Sequence, residues 1–236
     1  MAKLVTMPPL AISQAALEPF GVTWTANGGS LSRTPPQSSG DLGRVFDMAV
    51  GTALTVLLGD IPITTPNGSS LTPALPDCVE VGPVRIIGGV RPQNFDVGYR
   101  PDGVRFAYDS ETLNDAKSVG KNWQNMINDL ATEATTVHSR FPYAVVAFLI
   151  ALPKPCLGEP QRSAMIETLE RLARRQRVDD ADYLAEAISL VVWDPADGSI
   201  LSDIPAQTSP LRVERFSLQV ETAYVSRYKG LPPHAA

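Results

Sequence analysis

Three acidic residues, Asp96, Asp109 and Glu111, have the spacing that brings side chains together at one end of a β-hairpin. Apolar and polar residues alternate over 95–99 and again over 104–109, which predicts two antiparallel strands. In that hairpin Asp96 and Asp109 lie at the end away from the turn, and Glu111 faces the same side as Asp109 if its strand continues. Clustered carboxylates repel one another unless a cation neutralises them, and oxygen ligands suit Mg²⁺ or Mn²⁺. The sequence therefore predicts a divalent metal site at the open end of the hairpin.

Two other acidic residues near the hairpin are interpreted differently. Asp102 belongs to the turn sequence Pro101-Asp102-Gly103, so we expect it to shape the turn. Asp115-Ala116-Lys117 offers a second carboxylate-x-Lys pattern that would pair with Asp96. It ranks below the first pattern because 113–115 lacks strand alternation, and a strand end is what places residues i and i+2 on one face.

The hairpin resembles the core of the PD-(D/E)XK nucleases, the fold of many restriction endonucleases. In that family an Asp begins one strand and a carboxylate-x-Lys ends the next, and Asp96 and Asp109 match the first two of these positions. The text after the hairpin is also similar to the next helix and strand of restriction-endonuclease-like proteins, with a Lys-Asn pair at Lys121-Asn122 and HSRFP at 138–142. The resemblance covers roughly residues 41–229.

The resemblance implies a metal-dependent DNA endonuclease that hydrolyses phosphodiester bonds, in particular a type II restriction endonuclease. Its cofactor would be Mg²⁺, with Mn²⁺ able to substitute. One position departs from the family pattern, since Glu111 stands where the family has Lys. Some restriction endonucleases use carboxylate-x-carboxylate in this place. Alternatively Lys117 or Lys121, near the start of the following helix, supplies the positive charge.

The implied partner is double-stranded DNA. Asn122 and Asn125 are candidate ligands of the DNA phosphates, or alternatively they shape the end of the hairpin. Cleavage of a palindromic site requires two active sites related by a twofold axis, so a restriction role implies a homodimer. The loss of the usual Lys favours an alternative, in which a catalytically silent member of the same fold acts as a DNA-binding or assembly subunit.

Length and composition are those of an ordinary globular protein. The chain has 236 residues, of which 44% are hydrophobic and 19% charged, and this length suits one well-buried α/β domain. We expect a single nuclease-like domain with an N-terminal extension over 1–40, a core over 41–229 and a tail over 230–236. A net charge of −5 argues against indiscriminate binding of polyanions, although a carboxylate-rich metal site contributes to that charge.

Other site types and locations are disfavoured by the sequence. Cys78 and Cys156 form no CxxC pair, which argues against zinc and fits a cytoplasmic compartment. The longest apolar run, 143–152, is too short to span a bilayer, so no membrane partner is expected. Serine-hydrolase, dinucleotide-binding and P-loop motifs do not occur.

The surrounding elements predict an α/β fold with a mixed central sheet flanked by helices, as in a restriction-endonuclease-like core. Helices are predicted at 12–20, 41–58, 118–138, 161–177, 180–187 and 211–229, and further strands at 79–90, 143–152 and 189–193. Asp41 is the expected cap of the second helix, and Gly82-Pro83 should interrupt the first strand. Glu80 is expected to be a solvated edge residue, and His138 a helix-end residue that complements the helix dipole.

Overall fold

The computed structural model describes residues 4–68, 70–159 and 161–234. The helices in these ranges are α1 (Gln14–Ala26), α2 (Ser39–Leu57), α3 (Val119–His138), α4 (Gln161–Leu172) and α5 (Val213–Tyr228). The strands are β1 (Ile63–Thr64), β2 (Val79–Ile87), β3 (Pro92–Tyr99), β4 (Phe106–Thr112), β5 (Val145–Pro153) and β6 (Ala187–Trp193).

The strands form one mixed sheet in the order β1-β2-β3-β4-β5-β6. The neighbours β2, β3 and β4 pair antiparallel, whereas β1 with β2, β4 with β5 and β5 with β6 pair parallel. The β2–β3 register shifts between Val81 and Val84, where the predicted Gly82-Pro83 interruption lies. The expected α/β class and mixed sheet are therefore confirmed.

Helices cover both faces of the sheet. All nine residues of β5 are buried, as expected for a parallel strand with helices on each side. Asp109 and Ser110 are consecutive in β4, so their side chains point to opposite faces. Ser110 lies against Gly43 of α2, and Asp109 lies near Glu133 of α3. Within the described ranges, no helix is long and apolar enough to cross a membrane.

The start of α2 differs from the prediction. Ser38 is the cap, because its Oγ accepts the Asp41 N–H at 3.1 Å. Asp41 completes a capping box, since its Oδ2 accepts the Ser38 N–H at 3.0 Å. The predicted cap Asp41 is thus the reciprocal partner, three positions inside the helix boundary.

The segment after α4 is also different from the prediction. The helix predicted over 161–177 ends at Leu172, and 180–187 forms turns and the start of β6 instead of a short helix. Buried Arg175 explains the change, because its guanidinium donates to the carbonyls of Val178 and Ala181 at 2.8 and 3.0 Å. Those bonds hold the chain in a compact loop that a continuous helix would not allow.

Glu80 is not the solvated edge residue that the sequence predicts. Its side chain is fully buried and accepts two hydrogen bonds from Arg100, at 2.6 and 2.9 Å. A bidentate guanidinium pair of this kind satisfies a buried carboxylate. Glu80 therefore belongs to the structural core of the sheet.

Candidate functional site

The strands β3 and β4 separate at the end that carries the acidic residues. Their pairing runs from Tyr99 opposite Phe106 to Val97 opposite Tyr108. The next residues along the two strands are Asp96 and Asp109. Asp96 reaches into the gap between the strands, where its Oδ2 accepts the backbone N–H and the hydroxyl of Ser110, each at 3.0 Å. The strand also continues to Thr112, so Glu111 lies in β4 as expected.

Asp109 and Glu111 lie on the face of the sheet that α3 covers. Burial, followed by the charge of Asp96, raises the pKa of Asp109 well above its usual range. Burial and the charges of Asp129 and Asp96 raise the pKa of Glu111 to about 7. The structure therefore brings the three predicted carboxylates together, in surroundings that disfavour their charged forms.

Glu133 on α3 is a further carboxylate of this cluster. Burial, followed by the charge of Glu111, raises its pKa to about 7. Its Oε1 accepts a hydrogen bond from Gln93, and a hydrogen bond with the Asp109 carboxyl lowers its pKa by less than burial raises it. Carboxyl groups in contact disfavour one another's charged forms unless a cation neutralises them, so Glu133 is a candidate ligand for a cation.

Asp47 approaches the same strand ends from α2, on the opposite face. Burial, followed by the charge of Asp96, raises its pKa to about 8, and Ser110 and Arg44 lower it by less. Its Oδ1 is buried and has no hydrogen-bond partner in the described ranges. Asp47 and Glu133 therefore flank the separated strand ends from the two sides of the sheet.

Sequence reasoning missed Asp47 and Glu133, although both carry a readable signal. Glu133 falls within the apolar stripe of α3, three residues after Leu130 and four before Val137, both of which are buried. Asp47 directly follows buried Phe46 and is itself buried in α2. An acidic residue on the buried side of an amphipathic helix is unusual unless it has a partner. An acidic residue at such a position therefore indicates a candidate site residue.

A cleft of about 470 Å³ opens onto the cluster and is lined by Asp47, Asp96, Asp109 and Glu111. Arg44, which is exposed on α2, lines it too. This cleft adjoins a smaller cleft of about 270 Å³, and the two share one lining residue on α2 and one on β4. The smaller cleft reaches the start of α3. The larger cleft thus reaches Asp47, Asp96, Asp109 and Glu111, whereas Glu133 does not line it.

The predicted lysines and asparagines lie outside the cluster. Lys117, Lys121, Asn122 and Asn125 are exposed, and in the described part of the chain neither lysine forms an ion pair. Asn122 donates to Ser118 at 3.1 Å and lines the smaller cleft. The structure does not bring these four side chains into contact with the carboxylates.

The alternative pattern Asp115-Ala116-Lys117 lies in a turn after β4. The Oδ1 of Asp115 accepts the backbone N–H of Lys117 at 2.9 Å, which is a local turn contact. His138, at the end of α3, is buried, and its Nε2 lies 3.3 Å from Glu186 while its Nδ1 contacts the carbonyl of Asp182 at 2.9 Å. Neither group reaches the carboxylate cluster.

The donor chemistry of the cluster suits a hard divalent cation. Across the described ranges, no three His, Cys, Asp or Glu side chains already stand in position to hold a metal ion together. The unpartnered Oδ1 of Asp47 and the mutually raised pKa values nevertheless describe a site that gains by accepting positive charge. In the structure, Oδ2 of Asp96 is hydrogen-bonded to Ser110.

Comparison with protein-family models, with curated proteins and with solved structures gives no match to this chain.

Proposed function

We propose that this chain is a metal-dependent DNA endonuclease whose metal site is built on Asp96, Asp109 and Glu111. The observation that carries the proposal is the convergence of acidic side chains from two strands and two helices at one end of the sheet. Burial and mutual repulsion raise the pKa of Asp109 well above its usual range and that of Glu111 to about 7. Arg44 and Arg91 lower the pKa values of Asp47 and Glu133 by less than burial raises them, so a cation that neutralises the cluster best explains its retention.

The order of the elements supports the same proposal. Helix α2 is followed, after the two-residue strand β1, by the antiparallel strands β2, β3 and β4, helix α3 and strand β5, which is the order that the resemblance to PD-(D/E)XK nucleases implies. Asp96 and Asp109 stand on the second and third strands of that series, at the ends where the family places its metal ligands. We propose this family membership on the combination of topology and ligand position.

The charged side chains of the cluster and of the cleft are assigned the following roles in the proposed reaction. Mg²⁺, or Mn²⁺ in its place, would polarise the scissile phosphate and lower the pKa of the attacking water. Asp96, Asp109 and Glu111 would hold the cation, with Asp47 and Glu133 adjacent to it on either face. Arg44 at the cleft is positioned to pair with a phosphate oxygen. Asp47 and Glu133, with pKa values of about 8 and 7 without metal, are suited to exchange protons near neutral pH.

Within this function we propose a type II restriction endonuclease that acts as a cytoplasmic homodimer on double-stranded DNA. The test is incubation of plasmid with the protein and Mg²⁺ or Mn²⁺. Discrete fragments are expected, and they should disappear with EDTA and in Asp109→Asn. A smear would indicate a less selective nuclease, and intact plasmid in both metals would contradict the proposal. Light scattering should give a dimer on DNA, whereas a monomer there would argue against the restriction role.

A catalytically silent subunit of the same fold is the second candidate, and the exposed positions of Lys117 and Lys121 favour it. Glu111→Lys separates the two candidates, because it restores the common family pattern. If Glu111 is a ligand in a working site, cleavage should fall in this variant by at least about tenfold, as expected from loss of a metal ligand. If the site is degenerate, cleavage should appear where the unmodified protein has none.

A further inference from the structure

A second cleft, of about 550 Å³, lies at the opposite end of the sheet and shares no lining residue with the carboxylate cleft. It is formed by the loop between β3 and β4, the segment between α3 and β5, and the end of α5. Arg105, which lines it, precedes Asp109 by four residues, a separation of roughly 13 Å along an extended strand. The volume is in the range that holds a small organic ligand.

The wall of this cleft is basic. Arg105, Arg140 and Arg227 line it, and Asp102 is the acidic residue among its lining residues. Asp102 is already used, because Arg105 Nε donates to it at 2.7 Å and Nη2 donates to it as well. Arg105 Nη2 also donates to the carbonyl of Pro232, and Arg227 is paired with buried Glu186 and donates to the carbonyl of Ala144. Arg140 is exposed, and its Nη1 donates to the carbonyl of Ile87 at 2.9 Å. The donor capacity left for an anion in this cleft is therefore that of the Arg140 guanidinium.

The same wall carries flat aromatic surface. The Tyr143 side chain lines the cleft and the residue is 58% exposed, a high value for a tyrosine. Phe141, half-buried beside it, has the guanidinium carbon of Arg140 5.5 Å from its ring centroid. The guanidinium carbon of Arg105 lies 4.6 Å from the centroid of Tyr228. Rings and guanidinium planes of this kind stack on planar aromatic ligands.

We infer that this cleft binds a nucleoside monophosphate, with the base against Tyr143 and Phe141 and the phosphate on Arg140. A bare phosphate would leave the aromatic wall uncovered, and a neutral base would leave the Arg140 donors unused. The phosphate would accept hydrogen bonds from the Arg140 nitrogens that do not bind the Ile87 carbonyl. The inference uses neither the metal nor the carboxylates, so it does not depend on the proposed nuclease function.

The test is calorimetric titration of the full-length protein with AMP in EDTA, which removes any cation-dependent binding at the carboxylates. A saturable dissociation constant on the order of 0.1 mM is expected for a ligand of this size. Adenosine alone and inorganic phosphate alone should each bind at least about tenfold more weakly. No saturation up to about 10 mM AMP, or phosphate binding as tight as AMP, would overturn the inference.

Surface variants locate the binding site. Arg140→Ala and Tyr143→Ala should each weaken AMP binding about tenfold, whereas the matched variants Arg174→Ala and Tyr183→Ala, at exposed positions elsewhere, should leave it unchanged. Equal affinities in all four variants would place AMP elsewhere and overturn the inference. Asp109→Asn should bind AMP like the unmodified protein. The results that would contradict the nuclease proposal therefore differ from those that would contradict the nucleotide inference.

Discussion

Asp109 is the residue at which metal binding and folding are expected to oppose each other most strongly. Asp109→Asn preserves the shape of the side chain but removes a carboxyl whose charged form is disfavoured by burial and by Asp96. Without metal, the variant should therefore be more stable than the unmodified protein by about 1 kcal/mol in urea unfolding at neutral pH. It should lose DNA cleavage entirely. Asp179→Asn, at an exposed position, is the matched control and should change neither property.

Asp47 gives the clearest expectation about pH. Its pKa is raised to about 8 in the folded protein, from an ordinary value near 3.8. Between those values the folded state binds more protons than the unfolded state, so the free energy of unfolding falls as pH rises. This loss is absent below about pH 4 and complete above about pH 8.

Asp47→Asn removes that titration and should flatten the pH profile. In EDTA, we expect the variant to gain roughly 3 to 4 kcal/mol relative to the unmodified protein on going from pH 5 to pH 8, as measured by urea unfolding. The difference between the two proteins reports this carboxyl together with its coupling to Asp96, because the remaining titrating groups are common to both. If the difference in the free energy of unfolding stays constant across the pH range, Asp47 does not have a raised pKa in the folded protein.

At the scale of elements, local sequence patterns predict the strands of the sheet better than they predict the full set of residues in the carboxylate site. Alternation over 95–99 and 104–109 identifies β3 and β4, since the period of a strand is set by its own backbone. The continuous apolarity of 143–152 likewise identifies β5. The helix predicted over 180–187 is wrong, because contacts with buried Arg175 override local preference there.

The part of the site contributed by strands is predictable, and the part contributed by helices is not. Asp96, Asp109 and Glu111 follow from register alone, because positions in a hairpin fix which residues are opposite each other. Asp47 and Glu133 join them only through the packing of α2 and α3 on the two faces of the sheet. That packing depends on residues distant in sequence. The sequence of each helix therefore reveals only that an acidic residue falls at a buried position.

The packing of α2 on β2 can be tested with two glycines of that helix. A Cβ at Gly51 would lie 2.5 Å from Val81 Cγ2, whereas a Cβ at Gly40 would meet nothing closer than 3.8 Å. Gly51→Ala should therefore destabilise the protein by about 1 to 3 kcal/mol, because α2 must move away from the sheet. Gly40→Ala should stabilise it by up to about 1 kcal/mol through helix propensity. Equal effects in thermal unfolding would mean that α2 is not held closely at Gly51.

At the scale of the whole molecule, opposite charges are concentrated at the two ends of one sheet. The carboxylates gather where β3 and β4 separate, and the arginines of the second cleft gather at the other end of β4. The net charge of −5 conceals this division, which is why composition alone gives little guidance to either ligand. A cation at one end and an anion at the other would each reduce local repulsion.

The stability of the whole protein should report the cation directly. A ligand that binds only the folded state stabilises it by about 2.7 kcal/mol at a concentration one hundred times its dissociation constant. For a chain of this size, Mn²⁺ should therefore raise the midpoint of thermal unfolding by about 5 °C or more. The cation must displace the protons that raised pKa values keep on Asp47, Asp109, Glu111 and Glu133.

The increase with Mn²⁺ should accordingly be larger at pH 8 than at pH 5.5, where those protons are held more firmly. Asp96→Asn and Asp109→Asn should reduce or remove it, and Asp179→Asn should preserve it. Mg²⁺ should act in the same direction as Mn²⁺, because both prefer oxygen ligands. If the two site variants respond to Mn²⁺ as the unmodified protein does, the cation binds elsewhere and the separated ends of β3 and β4 are not the metal site.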